Sequence, residues 1–270
     1  QPNSTLIGHR VYIEMNQEAS MTRANRRFAT ALLLLLAGAA ATPAQAQLSG
    51  DGYLFKQPTA VFSVFGGWAL PRASGDVFDF VSDELTLSSG DFGAVTGGLD
   101  VAVRITPRLD LTFGFDASAS REQSEYREWL GADDLPIIQD TEFSRRSLTA
   151  GLRLHLLPRG KAVSQLVWVP AAFSPWVGGG AGLTWYRFEQ QGEFVDYETF
   201  DIFEDQFISD GNGPMAYLSG GVDVSLAPSW IMTLQGRYSW ASSEMDRDWI
   251  GFDNIDLAGL QATVGFGFRF

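Results

Sequence analysis

The sequence predicts an all-β chain: a transmembrane, antiparallel, up-and-down β-barrel of eight strands occupying residues 47–270. Three observations predict it. An export signal precedes that region, eight segments alternate apolar with polar side chains, and the acidic residues collect in every second connection. An extended chain points successive side chains to opposite faces, so sustained alternation marks a sheet with one apolar face.

The export signal comes first. Arg23, Arg26 and Arg27 precede the apolar run Ala29–Ala41, and Ala44-Gln45-Ala46 fits the small-x-small pattern cut by signal peptidase. The run is too short for a membrane-spanning helix, which needs ~20 residues. Residues 21–46 therefore read as a signal peptide. Residues 1–20 read as an upstream extension outside the mature protein, with translation starting at Met15 or Met21.

The strands follow in order. The first, Ala60–Leu70, is one of two less regular stretches, Pro175–Phe188 being the other. Val95, Gly97, Leu99, Val101, Val103 and Ile105 alternate with Thr96, Gly98, Asp100, Ala102 and Arg104. After "TPR" the phase resumes with Leu109, Leu111, Phe113 and Phe115 against Asp110, Thr112 and Asp116, a hairpin turning at Pro107. Leu148, Ala150, Leu152 and Leu154 oppose Thr149, Arg153 and His155. Pro175–Phe188 places Val177, Ala181, Leu183 and Trp185 in one phase. Ala216, Leu218, Val222 and Val224 oppose Tyr217, Ser219 and Asp223; then Met232, Leu234, Tyr238 and Trp240 oppose Thr233, Gln235 and Arg237. The last segment sets Leu260, Ala262, Val264, Phe266, Phe268 and Phe270 against Gln261, Thr263, Gly265, Gly267 and Arg269. The stretches from Gly97 and from Gly220 resemble each other as strand, proline turn, strand, so both turns belong to the same kind of end.

The connections decide whether the apolar face meets a protein core or lipid. Turns around "TPR" and "APS" are short, and Pro158–Ser174 is longer but carries no acidic residue. The other four, about 71–91, 121–142, 189–213 and 242–256, hold 25 of the 30 acidic residues of 47–270. All acidic loops then emerge at one end. A soluble exported sandwich, the competing fold, gives no reason for that asymmetry, whereas a transmembrane barrel has short periplasmic turns and longer exterior loops. With four arginines and two acidic residues removed with the first 46, 15 basic residues face 30 acidic ones, which argues against nucleic acid as a partner. The absence of cysteine leaves backbone pairing and packing to hold an exported chain.

The signal, the eight alternating segments and the terminal "VGFGFRF" resemble the small outer-membrane barrels of the OmpA/OmpX and opacity-protein type, over the whole of 47–270. The resemblance implies an outer-membrane location. It also implies that Val264, Phe266, Phe268 and Phe270 form the signal read by the barrel assembly machinery.

An eight-stranded barrel has room inside only for its own side chains. The inward phase supplies Asp100, Arg104, Asp110, Asp116, Arg153, His155, Asp223, Arg237 and Arg269, and buried charges need partners. Four Asp and four Arg are expected to close a salt-bridge network, mostly near the short-turn end, with Asp116 and Arg237 higher. This reads as a self-filled polar plug; a narrow channel for ions or small solutes is the alternative. His155, the only histidine beyond His9, would be the base of an outer-leaflet lipid-modifying enzyme, but its position near Pro158 puts it at the wrong end, so no catalytic residue is assigned.

Trp68, Trp185, Tyr238 and Trp240 are expected as an interfacial girdle. The loop Glu193–Asp210 mixes acids with Phe194, Tyr197, Phe200, Phe203 and Phe207 and is expected to extend the strands or pack on itself. Phe78–Leu87 is open between helix, strand and lid. Neither Asp246–Asp256 nor Ser209–Gly213 fits a twelve-position calcium loop, and no metal or cofactor is expected. The function expected is structural, envelope-stabilising or adhesive, with outer-membrane lipid and lipopolysaccharide as surroundings and an extracellular ligand for the acidic loops.

Overall fold

The computed structural model describes residues 52–131, 135–196, 202–246, 249 and 251–270. The signal peptide, the upstream extension, Tyr197 and Phe200 lie outside them. Eight antiparallel strands close a ring: β1 (Ala60–Pro71), β2 (Ala94–Arg104), β3 (Leu109–Leu130), β4 (Pro136–His155), β7 (Phe173–Val195), β8 (Ile202–Ser225), β9 (Trp230–Ser243) and β11 (Gly259–Arg269), with the two-residue strand β10 (Ile255–Asp256) paired to the end of β9. Each pairs with the next, β8 pairs with β9 and β9 with β11, and β11 returns to β1 from Val61↔Arg269 to Pro71↔Gly259. The eight segments expected from alternation are these eight strands.

Alternation survives in detail. Along β11 the even residues from Leu260 to Phe266 are exposed while Gln261, Thr263, Gly265 and Gly267 are buried, which is what an apolar face outside and a packed interior require. The β2–β3 turn is tied by Ile105 N–H to Leu109 C=O at 2.8 Å and by Thr106 Oγ1, which accepts from Leu109 N–H at 3.0 Å. The β8–β9 turn closes similarly, Leu226 N–H to Trp230 C=O at 3.0 Å, and both turns lie at one end.

Of the expected loops, 121–142 is instead strand, and 189–213 extends the strands, one of the readings expected of Glu193–Asp210. The β3–β4 ladder runs on from Ala119↔Ser144 to Glu125↔Ile138, and β7–β8 runs to Val195↔Ile202, so 121–142 and 189–213 continue the barrel wall. About ten residues cross a bilayer, and these four strands are roughly twice that length. Beyond the apolar belt the outward residues become charged, so the pattern that flags a strand fades while the backbone pairing continues.

The long-connection end is filled by an apolar cluster. Phe78–Leu87 resolves into helix α1 (Asp76–Glu84) and the segment following it, with Val77, Phe78 and Val81 buried on one side of the helix. Phe78 meets Phe92, Phe143 and Phe188 edge-to-face at 5.0, 5.7 and 6.0 Å, and Phe188 meets Trp249 at 5.3 Å. Beyond α1 the chain straps to β3: Thr86 N–H donates to Glu125 C=O at 2.9 Å, and Arg127 Nε donates to Leu85 C=O at 2.6 Å. Phe194 packs on Phe207 at 4.6 Å, so the acidic aromatic hairpin both extends the strands and packs on itself.

At the short-turn end a small hairpin, β5 (Gly160–Ser164) and β6 (Val167–Pro170), connects β4 to β7. Its Trp168 exchanges backbone hydrogen bonds with Leu54, both at 2.8 Å, and lies 5.9 Å beneath the Arg269 guanidinium.

Candidate functional site

The barrel offers two surfaces, a polar lumen and a lipid-like belt. Inward side chains on β4 show how the lumen is layered: Ile137 and Phe143 lie in the apolar cap, Ser147 and Thr149 in the middle, Arg153 and His155 at the short-turn end.

The lowest layer centres on Asp110. Its Oδ2 accepts from Arg159 Nη1 at 2.8 Å and stands 3.1 Å from His155 Nε2; His155 Nδ1 lies 3.0 Å from Ser174 Oγ. Asp110, His155 and Ser174 come from β3, β4 and β7, and only the barrel register brings them together. Burial lowers the Arg159 guanidinium from its ordinary value, while Asp110 opposes that effect. An Asp, His, Ser set has the composition of a hydrolytic triad, but all three residues are at most 2% exposed. The adjoining cavity, lined by Asp110 and His155, measures about 20 Å³, room for a water rather than an acyl chain.

One layer up, Arg153 pairs with Asp100 at 3.1 Å and lies 4.2 Å from the Trp176 ring. Trp176 Nε1 donates in turn to Asp223 Oδ1 at 3.1 Å, and Thr233 Oγ1 donates to the same oxygen at 2.8 Å. Gly221 leaves the space for that indole: a Cβ there would stand 2.6 Å from Trp176 Cζ2. Higher still, Arg237 pairs with Asp116 at 2.5 Å, and Arg145 Nη1 donates to Leu257 C=O at 2.7 Å.

The expected closed network of four Asp and four Arg is therefore corrected. Two of the four arginines pair with the expected carboxylates; among the described residues Arg104 and Arg269 stand in no ion pair. Arg269 donates to Ser225 Oγ at 2.9 Å and Pro228 C=O at 3.4 Å, and Asp223 is satisfied by Trp176 and Thr233. The reason is geometric. Asp110 lies opposite both Arg104 and Arg153 in the ladder, but His155 and the turn residue Arg159 occupy it, so Arg153 reaches Asp100 instead. Sequence reading missed Arg159, Trp168, Trp176 and Arg145. The phase of β7 carried a signal for Trp176, which shares the inward side with Ser174 and Thr184.

Cavities in the middle of the lumen measure about 30 Å³ beside Arg153 and Arg237 and about 10 Å³ beside Asp116. Among the described residues, these spaces hold no more than a water or so between the side chains that line them. Among the described residues no three His, Cys, Asp or Glu converge as metal ligands. Asp246 Oδ2 accepts from Asp210 N–H at 3.2 Å, and Asp256 accepts from Arg72 at 2.7 Å, so these carboxylates tether loops.

The outer surface is a belt. Val64, Val95, Phe113, Leu148, Leu183, Leu218, Leu234 and Phe266, one on each barrel strand, are 42–67% exposed. Val264, Phe266 and Phe270 face outward, with Phe268 half-buried against Trp230 at 5.2 Å. Trp68, Trp185 and Trp240 are exposed toward the long-connection end, and Tyr238 is half-buried beside Trp240 at 4.8 Å. At the other end Phe173 and Trp230, both absent from the sequence reading, face outward with Phe270.

No family model matches the chain, and no curated protein matches it in sequence. In fold it is similar to solved structures of outer-membrane barrels. OprG from Pseudomonas aeruginosa is 15% identical over 80% of this chain and 99% of its own, with a TM-score of 0.42. The Neisserial surface protein A is 12% identical over 78% and 96%, with a TM-score of 0.41. The N-terminal barrel domain of Pseudomonas aeruginosa OprF is 12% identical over 80% and 100%, with a TM-score of 0.34. The eight-stranded barrel itself rests on the closed pairing of this chain's own strands.

Proposed function

We propose that the chain is an integral outer-membrane protein whose role is structural or interactive: it stabilises the envelope and presents acidic hairpins to surface ligands. The belt carries this reading. Large apolar side chains stand exposed on all eight strands around the whole circumference, and each Å² of such surface costs ~25 cal/mol in water. A bilayer removes that cost, and a closed barrel leaves no backbone edge unpaired in it. Export through residues 21–46, recognition of Val264–Phe270 by the barrel assembly machinery and contact with lipopolysaccharide belong to the same proposal.

The filled lumen favours a plug over a channel, and the enclosed His155 favours a hydrogen-bonding role over catalysis. The test is heat modifiability. Membranes of expressing cells are extracted in mild detergent and run on a gel with and without boiling. Outer-membrane fractionation with faster migration unboiled is expected. A soluble periplasmic protein of unchanged mobility would overturn the reading, and discrete conductance in planar bilayers would replace the plug with a channel.

A further inference from the structure

We infer that the short-turn rim binds the phosphate headgroups of anionic phospholipids, through Arg108 and Lys161 beside exposed apolar side chains of the β5–β6 hairpin. The inference rests on the membrane reading above and extends it to a lipid class.

Charge sorts by end. At the short-turn end, among the described residues, the exposed charged side chains, Lys56, Arg108 and Lys161, are all cationic, while Asp110 and Asp223 are enclosed in the lumen. The hairpin itself has no acidic residue. It is also apolar where it is open: Val163 and Leu166 are 65% and 62% exposed, although the same hairpin buries Trp168 against Leu54. Leu156, Leu157 and Phe173, at the ends of the strands it connects, are exposed as well, so the apolar belt continues onto the hairpin. Aliphatic side chains flanking a cation fit the boundary between acyl chains and headgroups, where the ammonium or guanidinium reaches phosphate while its neighbours stay in oil. A soluble partner would have no reason to require continuity with the belt.

The chain has no cysteine, so single-cysteine variants report cleanly. Val163→Cys and Phe266→Cys proteins are labelled with an environment-sensitive fluorophore and reconstituted in vesicles of phosphatidylcholine, alone or mixed with phosphatidylglycerol, either lipid being brominated as quencher. The Val163 label is expected to be shielded from aqueous iodide and quenched more by brominated phosphatidylglycerol than by brominated phosphatidylcholine. Neutralising Arg108→Gln or Lys161→Gln should each lower that preference about fivefold, the effect of one cation near an anionic surface, and salt should weaken it. A Val163 label open to iodide, or quenched equally by both lipids, overturns the inference while a lipid-buried Phe266 label keeps the membrane reading. A Phe266 label in water overturns the membrane reading itself.

Discussion

Trp176 governs two buried charges at once, lying against the Arg153 guanidinium and donating to Asp223. Trp176→Phe keeps the ring and removes the donor, so it should destabilise the barrel by ~1–3 kcal/mol, read from urea unfolding in detergent micelles. Arg237→Ala strands Asp116 without its partner and should cost ~3–5 kcal/mol, whereas adding Asp116→Ala to it should recover much of that loss. If the double variant instead loses the sum of what Arg237→Ala and Asp116→Ala lose singly, the pair is not coupled. Such residues show how far a linear pattern reaches. Phase alone put Asp116 and Arg237 inside, on strands β3 and β9. Which carboxylate each arginine would take was not legible, because partners such as Asp110, His155 and Ser174 lie on three strands and meet only through register.

Elements divide by what surrounds them. In the belt, lipid-like surroundings impose a two-residue period, so β2, β4 and β11 were readable almost residue by residue. Above the belt water wets the outer face of β3, β4, β7 and β8, and residues such as Arg121, Asp140 and Glu189 are accepted there, so the same strands read as loops. Helix α1 was equally ambiguous in sequence, since nine residues give too little period to separate helix from strand. Phe78→Ala should remove ~3–5 kcal/mol of packing from the cap. Its expected signature is faster amide exchange in the extensions, with gel mobility of the unboiled barrel unchanged; loss of the barrel as well would show that cap and wall fold as one unit. On the belt, Phe266→Arg should cost ~2–4 kcal/mol in bilayers if that position lies near mid-membrane, measured by reversible urea titration against the wild-type chain.

The whole molecule stacks two cores of opposite kind: a polar lumen wrapped in apolar side chains, and an apolar cluster wrapped in acidic strands and α1. Their thermal signatures should differ. Unfolding that leaves the belt in detergent or lipid transfers little hydrocarbon to water, so the barrel should melt with a small heat-capacity change. The cap, with its Phe, Trp and Ile side chains, unfolds into water, and exposed apolar surface raises heat capacity by ~0.45 cal/K/mol per Å². Calorimetry in micelles should therefore place most of the heat-capacity increment in the cap's transition. The outer tower would then weaken on cooling as soluble proteins do, while the wall beneath it would not.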